Sequence, residues 1–470
     1  MKISDIKRNL YKLYNDKFGC EPENFVQLPQ SGSSRIYFRL TGNDQSVIGV
    51  YALNIEENKT FFDFTDGFKS EDIDVPSIIN IDSSQNFYLI DDLGNKSLFD
   101  IFTSGDNIDY ESYIYPILDN LVKIQCKGVR ILNDSDNAKN RVFSRSMMSS
   151  DLNYFKYYFL KISGIEYNDI ELDKSFSRLL DTLESTPSDY FMYRDFQSRN
   201  ILWHNNKPWF IDYQGAMLGP LQYDLASLLF QAKARIPQHI KESALDYYIN
   251  AISEYVDIDK DMFRKDFYKF VLLRILQTLG AYGFRGVIER KGHFLQSIPF
   301  ALDNLKWLVK NNLVSTDDTY LRSLLIDVAE TTIYKHTPIT QGKLTVYVNS
   351  FSYRKNYPID WSGNGGGYMF DCRSLHNPGR YIEYKHLTGM DRPVQEFLEK
   401  GEDVKQFINN AWNMISNSVN HYIDRGFNSL QVNFGCTGGQ HRSVYCAEKI
   451  VERLKQNNQI IVILRHKEQE

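Results

Sequence analysis

Paired cysteines, long apolar runs and an excess of either charge are all missing from this chain. Its five cysteines, Cys20, Cys126, Cys372, Cys436 and Cys446, show no paired spacing and no Cys-x2-Cys. That argues against a disulfide framework or a cysteine-built zinc site, and for a reducing compartment. No segment approaches the roughly 20 apolar residues of a membrane span. The amino-terminal MKISDIKRNLYKLY has no apolar core of signal-peptide length. Lys and Arg number 54 against 59 Asp and Glu, a formal net charge of −5, so nothing global points to nucleic acid or a membrane surface. Internal repeats and low-complexity tracts are absent too. The expectation is a soluble, cytoplasmic protein.

Aromatic residues, by contrast, are plentiful, with 31 Tyr and 30 Phe to build cores. At 470 residues the chain exceeds one ordinary core, and two or three domains are expected.

The most informative stretch is residues 190–229, YFMYRDFQSRNILWHNNKPWFIDYQGAMLGPLQYDLASLL. It reads as a short strand, an exposed loop, a hairpin and a helix. Asp195 lies on the loop, Asn200 follows in an Asp-x4-Asn spacing, and the strand Trp209-Phe210-Ile211 delivers Asp212. Phosphoryl transfer from ATP needs this set, because its transition state spreads negative charge over the transferred group. One carboxylate must take or orient the acceptor's proton, a role for Asp195, with Arg194 beside it. Oxygen ligands must hold Mg2+ against the phosphates, and Asn200 and Asp212 suit a hard cation. An Asp and an Asn near a turn are also ordinary turn formers; the following Ile211-Asp212 and Tyr223-Asp224-Leu225-Ala226 favour the kinase reading.

The stretch resembles the aminoglycoside phosphotransferase-like kinases, small-molecule phosphorylating relatives of the protein-kinase fold. IDYQGAMLGPLQYDLASLL is most similar to the anomeric sugar kinases of N-acetylmuramate and N-acetylglucosamine. The chain departs from them at Gly215, where an acid is expected. The resemblance implies an α+β bilobal kinase-like domain, ATP and Mg2+ as cofactors, and Asp224 as a brace for the catalytic loop.

Upstream, residues 4–18 read as an amphipathic helix stopped by Gly19. The small-residue loop Ser31-Gly32-Ser33-Ser34 before the strand beginning at Arg35 can lay N–H groups over phosphates, or can be a plain turn. The next strand, residues 46–53, lacks the phosphate-binding Lys that most kinases place there, and Arg35, Arg39 and Lys59 are the candidate replacements. Some of the resembled sugar kinases also lack it; a pseudokinase remains the alternative. The segment 86–94, ending in Asp91, Asp92 and Gly94, fits a nucleotide-facing connection between lobes or a simple strand end. Helices are expected at 97–103, 110–127, 149–162, 172–184, 240–256, 261–286, 291–310 and 320–331. Arg274, Gln277 and Arg285 interrupt an apolar helix, either facing a sugar or lying on a solvated face. The boundaries read as 1–95 for the first lobe, 96–334 for the helical lobe, 335–342 for a linker and 343–470 for a smaller α/β domain.

In that last domain, strands at 343–351, 368–373 and 430–434 precede Gly435-Cys436-Thr437-Gly438-Gly439-Gln440-His441-Arg442-Ser443 and a helix. A strand, a Gly-rich loop and a helix start form an anion cradle. Arg442 offers a fork for bidentate contact, and Thr437 and Ser443 add hydroxyls. The Gly-Lys-Ser/Thr of a nucleotide loop is absent. Cys-x5-Arg-Ser matches the spacing of cysteine-dependent phosphatases, with Cys436 as nucleophile, though no general acid declares itself. Residues 343–464, with FDCRSLHNPGRYIEYKHLTGMDRPVQEFL and FGCTGGQHRSVYCAEKIVERL, resemble the C-terminal domain of the RNase adapter RapZ. That resemblance implies a sugar-phosphate site at Thr437, Gly438, Gly439, Gln440, His441, Arg442 and Ser443, next to Cys436, with Asp371, Arg373 and Asn377 around it. An RNA role would need a broader basic face than the tail from Leu464 offers.

The combined reading is an ATP-dependent kinase of an N-acetylated amino sugar, fused to a sugar-phosphate sensor. The alternatives are a catalytically weak regulator, a bifunctional kinase/phosphatase, or a kinase of an aminoglycoside or choline. A homo-oligomer stays open.

Overall fold

The computed structural model describes residues 1–29, 35–43, 45–105, 107–314, 318–334, 342–355, 357–362 and 367–469. The chain divides into two compact units. One is Met1–Ala281 with Ser297–Thr331, and the other is Tyr282–Gln296 with Thr332–Glu470.

The first unit begins with helix α1 (Ile3–Phe18). Its Ile6, Leu10, Leu13 and Tyr14 repeat at helical spacing and are buried, and Gly19 ends it in the left-handed conformation at φ 72°. Strands β1 (Asn24–Gln27), β2 (Ile36–Gly42), β3 (Gln45–Tyr51), β4 (Ile78–Ile81) and β5 (Phe87–Asp91) form a sheet in the order β1-β2-β3-β5-β4. Every pairing in it is antiparallel. The α1 stripe shares a core with Phe38, Leu40, Val47, Tyr51, Phe87 and Leu89.

Between β3 and β4 runs helix α2 (Ile55–Ser70), an element the sequence reading passed over. Its signals were present. Asn54 caps it by accepting from the Glu57 N–H, Glu56 and Glu57 are acids in its first turn, and Phe61, Phe64 and Phe68 are buried at helical spacing.

The rest of the unit is mostly helical, as expected, with the long helix Tyr110–Asp134 in place of 110–127. The central stretch forms β6 (Tyr190–Met192), β7 (Ile201–His204), β8 (Lys207–Phe210) and β9 (Met217–Gly219), paired β6–β9 and β7–β8, before the helix Leu221–Leu229. The helix Lys260–Tyr282 buries Arg274, so that residue is not on a solvated face.

The second unit is a four-stranded sheet of β10 (Leu344–Ser352), β11 (Gly367–Asp371), β12 (Ser429–Cys436) and β13 (Ile460–His466), in the order β11-β12-β10-β13. All three pairings are parallel. Helices Arg392–Glu399, Glu402–Asp424 and Arg442–Leu454 supply the covering layers that a parallel sheet requires. The β13 strand takes up part of what read as a mixed-charge tail. The register aligns Ser352 with Cys436 and Asp371 with Gly435, so these residues share the carboxyl edge of the sheet. Ligands bind at that edge in open α/β sheets.

Candidate functional site

In the first unit, the loop after β6 is held from beneath by a buried carboxylate. Asp224, in the first turn of the helix Leu221–Leu229, accepts from the Tyr193 N–H at 2.7 Å and the Arg194 N–H at 2.9 Å. It is 0 % exposed, and burial pushes its pKa up to about 7 against the pull of those donors. The Ser198 N–H and hydroxyl both donate to Gln231 Oε1, pinning the other end of the loop. Arg194 sits at φ 76° and Asp212 at φ 70°, in the left-handed region. Non-glycine residues keep that conformation where surrounding contacts impose it, commonly at functional sites.

What this bracing presents is a group of open carboxylates. Asp195 is exposed, and among the described residues no hydrogen bond reaches its carboxylate. Asn200 Nδ2 donates to the Asp195 carbonyl at 2.8 Å and lies 3.4 Å from Asp212 Oδ2. Asp212 Oδ1 accepts from Gln214 Nε2 at 2.8 Å. Asn200 thus bridges the Asp195 backbone and the Asp212 carboxylate, and an amide oxygen and a carboxylate are donor types that a hard cation takes beside phosphates and water. Arg194 is exposed beside them.

The nucleotide-facing expectations fare differently. Ser31, Gly32, Ser33 and Ser34 lie outside the described residues. Arg35 is buried and pairs with Glu57 at 2.8 Å. Asp91 accepts from the Ser77 N–H. Asp92 accepts from Arg39, Ser46 and the Gly94 N–H, so both carboxylates are engaged in fixing their own segment. Glu57, Gln214 and Arg141 were not singled out as site residues, yet Gln214 contacts Asp212, and Glu57 and Arg141 contact Gln214. Arg141 donates to the Gln214 carbonyl. Gln214 Nε2 also reaches Glu57 Oε1 at 3.3 Å.

A further polar group lies near Arg194 and Asp195. Arg274 donates to the Tyr223 hydroxyl at 2.8 Å and to Gln277 Oε1 at 2.9 Å. Half-buried Asp151 has a pKa raised to about 6, by burial first and by Asp195 as well, against Arg274 and Arg194.

In the second unit, the loop after β12 is built differently. Cys436 is 3 % exposed, and its Sγ accepts from the Gly439 N–H at 3.2 Å and lies 3.1 Å from Ser443 Oγ. Arg442 Nη1 donates to the carbonyls of Arg373 and Leu375, both at 2.9 Å, and Nη2 lies 3.5 Å from Thr437 Oγ1. The guanidinium that read as a fork for an anion thus braces the segment after β11. His441 Nε2 lies 2.9 Å from the Tyr384 carbonyl. Asp371 and Arg373 form an ion pair at 2.6 Å, and the Arg373 donors hold the Asp371 carboxyl below its usual range. Asn377 accepts from the Gly379 N–H. Gly438 is exposed, Thr437 and Gln440 are half-buried, and the first-turn N–H groups of the helix Arg442–Leu454 have no intrahelical acceptor. The face left to a ligand is therefore mostly backbone. Cys436 sits beneath the loop, where Sγ serves as a hydrogen-bonding hub.

Two family matches bear on these sites. Residues 26–259 match the phosphotransferase enzyme family, and residues 344–470 match the RapZ C-terminal domain. The chain thus carries a region similar to the phosphotransferase enzyme family followed by one similar to the RapZ C-terminal domain. A nucleotide-binding protein of Clostridium acetobutylicum is 32% identical over 174 residues, covering 37% of this chain and 57% of that protein. A nucleotide-binding protein of Thermotoga neapolitana is 36% identical over 129 residues, covering 27% of this chain and 44% of that one. The chain thus spans about half the length of these curated relatives. Among solved structures, similarity extends to a thermostable mutant of an aminoglycoside phosphotransferase, with a TM-score of 0.42 and 14% identity over 65% of this chain and 100% of that one. It extends also to an amicoumacin kinase in complex with AMP-PNP and Ca2+, with a TM-score of 0.43 and 11% identity over 70% of this chain and 97% of that one. The open carboxylates lie within the region matching the phosphotransferase family and the Cys436–Ser443 loop within the region matching the RapZ C-terminal domain. Among the described residues, no helix is long and apolar enough to cross a membrane.

Proposed function

We propose that the phosphotransferase domain, with lobes at 1–95 and 96–334, transfers the terminal phosphoryl group of ATP to a hydroxyl of an N-acetylated amino sugar. The anomeric hydroxyl is the favoured position. The observation that carries the reaction is the loop held by buried Asp224, which presents Asp195 and Asn200 with Asp212 beside Asn200. Asp195 orients the acceptor hydroxyl and takes its proton, a task for which its carboxylate is exposed and, among the described residues, unengaged. Asn200 and Asp212 hold Mg2+, which supplies charge neutralisation for the phosphoryl group when bound. Arg194 adds positive charge at the loop. The sugar is supported by the sequence resemblance, and by the placement of Arg274, Gln277 and Asp151, which offer donors and acceptors to a polyol.

Beyond the linker 335–342, the domain at 343–470 binds a sugar phosphate. Its phosphate meets the exposed loop backbone and the helix start at Arg442, with Thr437 and Ser443 near and Asp371, Arg373 and Asn377 at the rim. Cys436 is held beneath this loop, which favours binding over phosphatase chemistry there.

The test is ADP release with Mg-ATP across N-acetylglucosamine, N-acetylmuramate, glucosamine, choline and an aminoglycoside, with Asp195→Asn as control. Turnover on an N-acetyl sugar that vanishes in the variant is expected. Silence across the panel with ATP still bound would replace the kinase by a nucleotide-binding regulator. A glucosamine-6-phosphate titration that shifts no melting transition would remove the sensor.

A further inference from the structure

The strand β3 supplies no cation to the cleft, because Val47, Ile48, Gly49, Val50 and Tyr51 fill its buried length. Of the three candidates for the missing charge, two are placed elsewhere. Arg39 pairs with Asp92 and donates to Asn95. Lys59 is exposed and lies two residues beyond Glu57 on α2, about 200° around the helix from it.

Arg35 is the third. It immediately precedes β2, and the register sets Ile36 against Tyr51, so Arg35 flanks the end of β3 where the chain turns into α2. It is 5 % exposed. Its Nη2 donates to Glu57 Oε1 at 2.8 Å. The same oxygen accepts from Gln214 Nε2 at 3.3 Å, and that nitrogen donates to Asp212 Oδ1 at 2.8 Å. Arg141 secures Gln214 from the other side, donating to its carbonyl at 2.8 Å and to Thr60 Oγ1 at 3.1 Å. A buried guanidinium is thereby tied through one carboxylate and one amide to the carboxylate assigned above to the metal. Burial raises the pKa of neighbouring Tyr37 and Tyr88, so these phenols stay neutral beside it.

We propose that Arg35 is the nucleotide-phosphate cation of this chain, acting from the residue before β2. Glu57 and Gln214 are positioning residues that fix it relative to Asp212. The proposal rests on the phosphotransferase reading and deepens it, because the empty β3 position then marks a relocated charge and not lost chemistry. A planar guanidinium suits phosphate oxygens through paired donors.

The test compares ATP, ADP and adenosine binding to the full chain by calorimetry, each with Mg2+, for wild type, Arg35→Gln and Arg35→Lys. Loss of one charged phosphate contact is expected to weaken ATP and ADP about 10- to 100-fold, with adenosine unchanged. Arg35→Lys should fall in between. Gln214→Ala should lower kcat while leaving the KM for ATP near wild type, since Gln214 touches no phosphate. Equal affinity of Arg35→Gln and wild type for ATP would overturn the proposal. So would a parallel loss of adenosine and ATP binding, which would make Arg35 structural. If Arg35→Gln does not fold, the ATP-over-adenosine preference of Arg35→Lys decides the matter in the same way. Wild type that binds ATP through Arg35 but phosphorylates no acceptor would sink the kinase reading and leave this one standing. Wild type that binds no ATP would sink both.

Discussion

The loops at 193–200 and 436–443 both use polar side chains near a helix start, but they use them in opposite ways. In the first, bracing comes from outside: Asp224 and Gln231 hold the backbone, and the loop's own Asp195 stays exposed. In the second, the loop braces itself. Cys436, His441 and Arg442 are buried and turned onto local donors and carbonyls. A site that must move a proton needs a free carboxylate in a fixed place. A site that must bind an anion can spend its side chains on shape and offer the ligand its backbone.

The largest expected effect breaks the first loop without touching its architecture. Asp195→Asn should lower kcat about 10²- to 10⁴-fold, with the melting temperature unmoved, because the carboxylate supports nothing else. Steady-state kinetics beside a thermal melt checks both halves. A large drop in melting temperature would mean that Asp195 is structural after all. Next in size, Arg442→Met should do the reverse. It removes two charged hydrogen bonds from buried surroundings, a loss of about 2–4 kcal/mol, read as faster hydrogen exchange in β12 and the helix after it. Arg442→Lys should recover only part, since an ammonium lacks the planar fork. Wild-type exchange in Arg442→Met would return Arg442 to the role of an anion ligand.

The candidate reacting residues of the first loop were legible in the sequence because they are local: Asp195, Asn200 and Asp212 stand within one loop and hairpin. What surrounds it was not. Glu57 reaches the site from α2, which aromatic and β-branched residues made hard to read as a helix although Asn54 caps it. Arg274 was visible as a polar break in an apolar helix, but Asp151 was not, because it comes from a helix distant in sequence and nothing in its local pattern marks an environment shared with Arg274. In the second unit the glycines and Arg442 were visible, and the strand–loop–helix order followed from them. The direction of the Arg442 side chain was not visible, since it depends on where the chain runs after β11. Spacing shows which residues can meet; burial decides which donor goes to which acceptor.

Asp151 tests whether the open side of the comparison extends beyond the loop. Its pKa is raised from 3.8 to about 6, so the folded state holds the proton more tightly than the unfolded one. The stabilisation is complete below the unfolded value and is lost as pH rises through about 6. At pH 8 the ionised group therefore opposes folding, by an upper bound of about 3 kcal/mol. Asp151→Asn should raise the melting temperature at pH 8, and the gain should vanish towards pH 4. A carboxylate kept at such a cost is a candidate for contact with substrate, so the same variant should raise the KM for the acceptor. A pH-independent melting difference would remove the argument.

The smallest effect sets the segment just past Asp212 against the second loop, through one methyl group placed in each. A Cβ at Gly215 would meet no atom within 4 Å, and the residue is not in the left-handed region. Gly215→Ala should therefore leave stability within about 0.5 kcal/mol of wild type. Gly439 sits at φ 70°, and a Cβ there would collide with the Glu468 side chain and approach the Ser352 N–H nitrogen at 2.9 Å. Gly439→Ala should cost about 1–2 kcal/mol for the backbone conformation alone, plus whatever the displaced Glu468 requires. Paired denaturation curves of the two variants provide the comparison. Equal costs would show that the segment past Asp212 is packed as closely as the self-braced loop.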